Sequence, residues 1–332
     1  MSVQQQAMPA RHILVLGGTG FVGSALCDAL ARDPQLAGAR LRVPSRRAQR
    51  AGAVRMLPNV DLIQADIHQD AALDALLHGC DAVVNLVAIL HGSAAAFEQI
   101  HVGLPRRLLA AMARQGVHRL VHVSALGVPD NGAAAPSHYL RSKAAGEQVL
   151  QQAAQNQGLQ LTVLRPSVIF GAHDKFLNLF AALQALFPLM PLAGAEARFQ
   201  PVWVGDVAQA VVACLRQPGT AGQTIECAGP EVFTLRQLVE QAGQLSGHPR
   251  TVLPLPSALA QLQALAMECL PGEPLMSRDN LASMTTPNVA TPGRPGLAAL
   301  GITPTALMAV APAYLRQHQG CARLDAWRAL HR

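Results

Sequence analysis

The sequence predicts an α/β protein with a doubly wound parallel sheet and a smaller C-terminal lobe. Three observations predict it. Short apolar runs alternate with stretches of helical periodicity from residue 13 to about residue 165, and such alternation implies right-handed crossovers between parallel strands. The runs Ile13–Leu16 and Ala82–Ala88 are almost continuously apolar, as strands covered on both faces are. After Gly171 the pattern loosens and prolines accumulate, which marks the lobe.

The first run, Ile13–Leu16, reads as a buried strand. Gly17-Gly18-Thr19-Gly20-Phe21-Val22-Gly23 follows, and helical periodicity sets in at Ser24–Ala31. Strand, glycine turn and helix are the context of a dinucleotide-binding fingerprint. Gly17 allows the tight turn, Gly20 admits a pyrophosphate to the backbone, and Gly23 lets helix and strand pack closely. The helix start supplies free N–H groups and a dipole that favour phosphate. Thr19, Phe21 and Val22 complete the expected contact.

Arg40–Val43 is the second strand and ends at Arg46 and Arg47. Sites for NAD commonly place a carboxylate here for the ribose 2′-hydroxyl. Between Pro34 and Val60 the chain has no acidic residue and six arginines, so NADP(H) is the expected preference, with NAD(H) second. Val60–Ala65 is a third strand, and Asp66 and Ile67 after it are expected beside the adenine. A helix over Ala71–Leu77 leads to the strand Ala82–Ala88, whose end (Leu86, Val87, Ala88) should face the cofactor. Phe97–Gln115 reads as one long helix bent by Pro105. The strand Leu120–Ser124, a loop over Pro129–Ser137, the helix His138–Ala153 and the strand Leu161–Leu164 complete the alternation.

Beyond it, Phe176–Leu192 is an apolar helical stretch broken by Pro188 and Pro191. Gln200–Val204 and Thr224–Cys227 read as short strands around a helix over Asp206–Leu215, and Leu235–Leu245 is a further helix. The expected division is a disordered 1–12, a dinucleotide-binding unit over 13–171 to which 200–227 returns, and a lobe from 172–199 and 228–332. Leu255, Leu259, Leu262, Leu265, Ala266 and Leu270 can form one helical stripe, expected to pack on its own lobe rather than on a membrane.

Composition narrows the function. The net charge is +6 and the chain is 50% hydrophobic, but no basic block alternates with aromatic residues, so nucleic acid is not an expected partner. Six scattered cysteines form no CxxC pair and read as buried thiols in a reducing compartment. No metal-ligand spacing occurs, so no metal is expected. Met1–His12 has no apolar leader and no run approaches the ~18 residues of a membrane span, so the expected location is cytoplasmic.

Tyr139 and Lys143 lie four residues apart on one helix face, and each is one of only two residues of its kind in the chain. An ammonium near a phenol lowers the phenol's pKa and suits it to proton transfer. The same lysine can hold a nicotinamide ribose, and Ser124, at a strand end, can orient a substrate oxygen. Arg165, His173, Lys175 and Arg198 are candidates either for the cleft or for the surface.

The GxxGxxG turn, the strand-end Ser124 and Tyr139-xxx-Lys143 together resemble the extended short-chain dehydrogenase/reductase family, whose fold is a Rossmann sheet. Leu164-Arg165-Pro166-Ser167-Val168-Ile169-Phe170-Gly171 is similar to the family's LRPxxVYG segment. The resemblance implies a Ser124–Tyr139–Lys143 redox or epimerase-type site and a nicotinamide contact at Pro166–Val168. Gly229–Leu238, Leu270–Asn280 and Gly301–Thr305 resemble an atypical branch that includes the nucleotide-binding accessory subunit of mitochondrial respiratory complex I. That branch implies, as an alternative, a largely non-catalytic NADPH-binding protein. It would sit at the inner membrane, partnered with a respiratory or quinone-synthesis assembly.

Two departures stand out. Leu16 replaces the family's usual Thr, and His101 stands where many active relatives carry Asn, either as part of a proton relay or as a satisfied helix histidine. The short Ser124–Tyr139 spacing implies a small loop and argues against a bulky nucleotide sugar.

Overall fold

A parallel seven-stranded sheet runs through the computed structural model, which describes residues 10–130, 135–268 and 276–316. Its strands are β1 (His12–Leu16), β2 (Arg40–Ser45), β3 (Val60–Gln64), β4 (Ala82–Asn85), β5 (Arg119–Val123), β6 (Gln160–Pro166) and β11 (Thr224–Cys227). Their order is β11-β6-β5-β4-β1-β2-β3. The order reverses between β1 and β4, and ligands of open α/β sheets bind at the strand ends beside such a reversal.

Pleating decides what covers each face. Ile13 and Val15 point to a core shared with α1 (Phe21–Arg32) and α7 (Val204–Arg216). Leu14 and Leu16 point the other way, to α2 (Asp70–Leu77), α4 (Leu104–Gln115) and α5 (His138–Gln157). All four are fully buried, which is why the run carries no polar alternation.

Most of the remaining elements gather around another core. They are β7 (Ile169–Phe170), α6 (Leu177–Leu186), β8 (Leu189–Leu192), β9 (Arg198–Phe199), β10 (Val202–Trp203), β12 (Phe233–Thr234), α8 (Leu235–Ser246), β13 (Thr251–Pro254) and α11 (Leu307–Leu315), while α9 (Ser257–Glu268) and α10 (Arg278–Ser283) meet in a separate small cluster of Ala193, Ala260, Ala264 and Leu281. Thr234 caps α8 through the Gln237 N–H while Gln237 returns the bond, a reciprocal cap that fixes the helix start.

Four expectations change. The helix over Phe97–Gln115 is α3 (Ala94–Glu98) and α4 joined by a π turn over Gln99–Gly103. Pro105 has no N–H for the carbonyl of His101, four residues back, so the backbone takes up an extra residue there. The stretch Phe176–Leu192 is helical only to Leu186, and its end is β8, paired in parallel with β13. Pro188 and Pro191 cannot continue a helix, and Pro191 is tolerated in a two-stranded edge pair. β4 stops at Asn85, because the Asn85 carboxamide oxygen accepts from the Val87 N–H at 3.1 Å and turns the chain. In α9 the buried face is Ala260 and Ala264; of the expected stripe Leu255 packs against them on its own lobe, whereas Leu259, Leu262 and Leu265 are exposed. Leu270, the start of the Leu270–Asn280 motif, Cys269, Cys321 and residues 1–9 lie outside the described residues.

Candidate functional site

The glycine turn leaves β1 at its carboxyl end. Gly17 has φ +82°, a left-handed conformation that a side chain would strain. A Cβ on Gly23 would sit 2.2 Å from the Gly17 carbonyl oxygen and 2.5 Å from the Gly18 Cα, so only glycine lets α1 begin this close to the strand. The helix starts at Phe21, three residues earlier than its periodicity suggests, because Gly20 caps it without a side chain and carries no apolar signal. No acidic residue occupies its first turn, and Thr19, Phe21 and Val22 stand at that start. First-turn N–H groups have no intrahelical acceptor. The cradle therefore fits a phosphate-bearing cofactor.

Around it lie the other expected contacts. Arg46 and Arg47 are exposed just past β2, and neither side chain has an ion pair among the described residues. Asp66 is half-buried and accepts the His68 N–H at 3.1 Å, while Ile67 packs on the core beyond it. Leu86 borders the turn: a Cβ on Gly17 would lie 3.3 Å from it. Val87 is half-buried and Ala88 exposed on the same strand end. Pro166 ends β6, and the Val168 N–H donates to the Asn288 side-chain oxygen at 2.9 Å.

Ser124 and Lys143 come together. The Lys143 ammonium donates to the carbonyl of Val123, the residue before Ser124, at 3.3 Å. The Ser124 hydroxyl is buried and has no hydrogen-bond partner among the described residues. A buried, unpartnered hydroxyl at a strand end marks a place for a ligand oxygen or a water. Burial lowers the Lys143 pKa to about 8, against the opposing pull of the Glu147 carboxylate.

Tyr139 opens the same helix, half-buried and edge-on to Phe97 and His101, with ring centroids 6.1 and 5.6 Å away. Here the expected electrostatics fail. Burial pushes the Tyr139 phenol up to about 12, and Lys143 spends a hydrogen bond on the backbone instead of lowering it.

His101 is the satisfied helix histidine of the two alternatives. Its Nε2 accepts the Ile89 N–H at 3.2 Å, which leaves the proton on Nδ1 to meet the Ser142 hydroxyl at 2.8 Å. Ser142 donates onward to the Tyr139 carbonyl at 2.9 Å. Burial, and then the Lys143 charge, lowers the His101 pKa to about 3, so the ring is neutral and supports the loop after β4. His122, buried in β5, receives the Asn85 amide at 3.2 Å and is likewise held neutral by burial.

Of the four cleft-or-surface candidates, His173, Lys175 and Arg198 are exposed. Arg165 is neither: it is buried in a paired contact with Glu147 of α5, 2.6 Å at its shortest, and reaches Asp130 at 3.1 Å.

Two residues that hold the site were missed. Asp279 of α10 accepts the N–H groups of His138 and Tyr139 at 2.7 and 3.0 Å and so caps the helix that carries Tyr139 and Lys143. Asn288 fastens the ends of β5 and β6. Both partners are more than 100 residues away in sequence, and although Asp279 falls in the Leu270–Asn280 segment, nothing local assigns either residue its role. Among the described residues, no cluster of His, Cys, Asp or Glu is placed to hold a metal, and no helix is long and apolar enough to cross a membrane.

The reversal of strand order, the glycine turn and the uncapped helix start define a dinucleotide-binding α/β protein of Rossmann type. The chain belongs to the NAD dependent epimerase/dehydratase family, whose model matches residues 13–228. It is similar to the NADH dehydrogenase [ubiquinone] 1 alpha subcomplex subunit 9, mitochondrial, of Arabidopsis thaliana, 32% identical over 256 residues that cover 74% of this chain. That match spans 61% of the plant protein's length. The same-named subunit of Mus musculus is 28% identical over 312 residues, covering 92% of this chain and 80% of the mouse protein. Among solved structures, the dTDP-glucose 4,6-dehydratase of Streptomyces venezuelae with NAD bound superposes with a TM-score of 0.69 at 20% identity, covering 92% of this chain and 96% of that one. This last likeness shows the fold.

Proposed function

We propose that the chain is an NADP(H)-preferring dehydrogenase/reductase-like protein in which Ser124, Tyr139 and Lys143 form a redox or epimerase-type site. The observation that carries the reading is the Lys143 ammonium set on the Val123 carbonyl, next to the buried, unpartnered Ser124 hydroxyl. When bound, the nicotinamide supplies a hydride donor or acceptor. The glycine turn and the start of α1 hold the pyrophosphate. Asp66 and Ile67 flank the adenine, and Leu86–Ala88 with Pro166–Val168 line the nicotinamide half. Lys143 holds the nicotinamide ribose. Ser124 donates to a substrate carbonyl or accepts from its hydroxyl, and Tyr139 transfers the proton at that oxygen.

Arg46 and Arg47, exposed and without carboxylate partners among the described residues, support the 2′-phosphate preference. Titration of the purified protein with NADPH and NADH tests it. NADPH is expected to bind about tenfold or more tightly, as one charge-assisted contact of roughly 1.5–3 kcal/mol gives. Equal affinities overturn the preference.

A second reading has its own support. A phenol raised to about 12 stays protonated at neutral pH and gives up its proton reluctantly. The mouse relative covers 92% of the chain and is named as a respiratory-complex subunit. On this reading the protein is a largely non-catalytic NADPH-binding accessory of respiratory complex I or of ubiquinone synthesis, peripheral at the inner membrane. Nucleotide that copurifies and exchanges slowly favours it. Turnover on a small carbonyl or hydroxyl substrate that vanishes in Tyr139→Phe favours the first.

A further inference from the structure

The geometry points to Asn288 as a positioning residue for the nicotinamide half of the site. This deepens the reading above and rests on its assignment of Pro166–Val168 to the nicotinamide.

Asn288 lies in the irregular stretch after α10, and its carboxamide makes three hydrogen bonds. The side-chain oxygen accepts the Ser167 hydroxyl at 2.6 Å and the Val168 N–H at 2.9 Å. The side-chain nitrogen donates to the Leu126 carbonyl at 3.1 Å. Its backbone joins as well. The N–H donates to the Arg198 carbonyl at 2.9 Å, and the carbonyl accepts the Gln200 N–H at 2.9 Å. One residue therefore ties the segment after β5, the end of β6 and the chain leading into β10. Leu126 is itself bonded to the Pro166 carbonyl at 2.8 Å, so the two strand ends and Asn288 close a ring of bonds.

The same stretch of chain reaches the other half of the site. Asp279 caps α5 at His138 and Tyr139, and Ser283 donates to Ser137, the N-cap of that helix, at 2.8 Å. Residues 279–288 thus grip the helix of Tyr139 and Lys143 at one end and the Pro166–Val168 segment at the other. The spacing between these two walls is set by this strap, and Asn288 is the point at which it holds the nicotinamide wall.

Asparagine is required by the bond pattern. Its side chain offers an acceptor to the Val168 N–H and a donor to the Leu126 carbonyl at one reach. Asn288→Asp keeps the acceptor and sets a carboxylate against a carbonyl. Asn288→Ala leaves both backbone groups without a partner.

The test is equilibrium binding by the full chain of two probes: NADPH, which fills both halves, and adenosine 2′,5′-bisphosphate, which reaches only the adenine half. Asn288→Ala is expected to weaken NADPH about tenfold or more and to leave the bisphosphate within about twofold, with Asn288→Asp in between. Loss of affinity for both probes alike, or for neither, overturns the proposal. Should Asn288→Ala not fold, Ser167→Ala removes only the Ser167 hydroxyl's contacts with Asn288 and leaves residues 279–288 unchanged, and a selective loss of NADPH affinity of about threefold is expected. Equal affinity there, or an equal loss on both probes, likewise overturns it. A wild-type protein that binds neither these probes nor NADH sinks the dinucleotide reading itself, and one that binds NADH alone sinks the 2′-phosphate preference; both failures are separate and recognisable.

Discussion

Replacing Gly146 with alanine opposes two effects of known size. Gly146 lies inside α5, where alanine is worth about 1 kcal/mol over glycine. Propensity alone therefore predicts a more stable protein. The structure predicts the reverse. A Cβ at this position would lie 2.0 Å from the carbonyl oxygen of His101 and 3.1 Å from its carbon. Ordinary contact begins near 3.4 Å, so the helix and the π turn must separate by more than 1 Å. Both sides are backbone, and no flexible side chain can yield. Overpacking of this kind costs about 1–3 kcal/mol, and the rigid partner places it at the upper end, for a net loss of about 2 kcal/mol. Gly103 of the π turn is the control, because its added Cβ meets nothing nearer than 3.6 Å. Urea denaturation of Gly146→Ala and Gly103→Ala, read as midpoint at constant slope, compares them. The first is expected to lose stability and the second to hold or gain. If Gly146→Ala equals or exceeds the wild type, the close crossing of α5 over the π turn is refuted.

Arg165→Met leaves the Glu147 carboxylate buried without its partner, and thermal or urea unfolding should show a loss of about 3–5 kcal/mol. Arg165→Met with Glu147→Met together should recover most of it, and a double variant as weak as the single one contradicts the pair. His101 and His122 are neutral in the fold, so between about pH 6.5 and their lowered values the unfolded chain binds more protons than the folded one. Their contribution is complete above about pH 6.5 and is lost as the pH falls, by about 1.4 kcal/mol per pH unit for each ring. Unfolding free energies at pH 7 and 5 should therefore differ less in His101→Asn than in the wild type, and an unchanged difference would remove His101 from the account.

Most of the sheet was legible because buried parallel strands write themselves as unbroken apolar runs. Ile13–Leu16 and Ala82–Val84 are such runs, and both lie in strands of the sheet. The glycine turn was legible because Gly17 and Gly23 answer local steric demands within seven residues. What was not legible depends on partners far along the chain. Asp279 and Asn288 sit in segments without periodicity, and their meaning lies in the backbone groups of His138, Tyr139 and Val168. Pro105 announced an irregularity but not its form, since the π turn is stabilised against Gly146 of another helix. Arg165 looked available because its partner, Glu147, reads as a surface helix residue until α5 is laid on β6. The Tyr139–Lys143 spacing gave the shared face, and the Val123 carbonyl then decided where the ammonium went.

The most direct test of the account is the affinity of the purified protein for NADPH against NADH, before and after Arg46→Ala/Arg47→Ala. The account predicts that NADPH binds about tenfold or more tightly and that the double variant erases the difference while keeping NADH affinity. Binding of neither nucleotide would contradict the central claim, that the turn from Gly17 to Gly23 and the start of α1 form a working dinucleotide site.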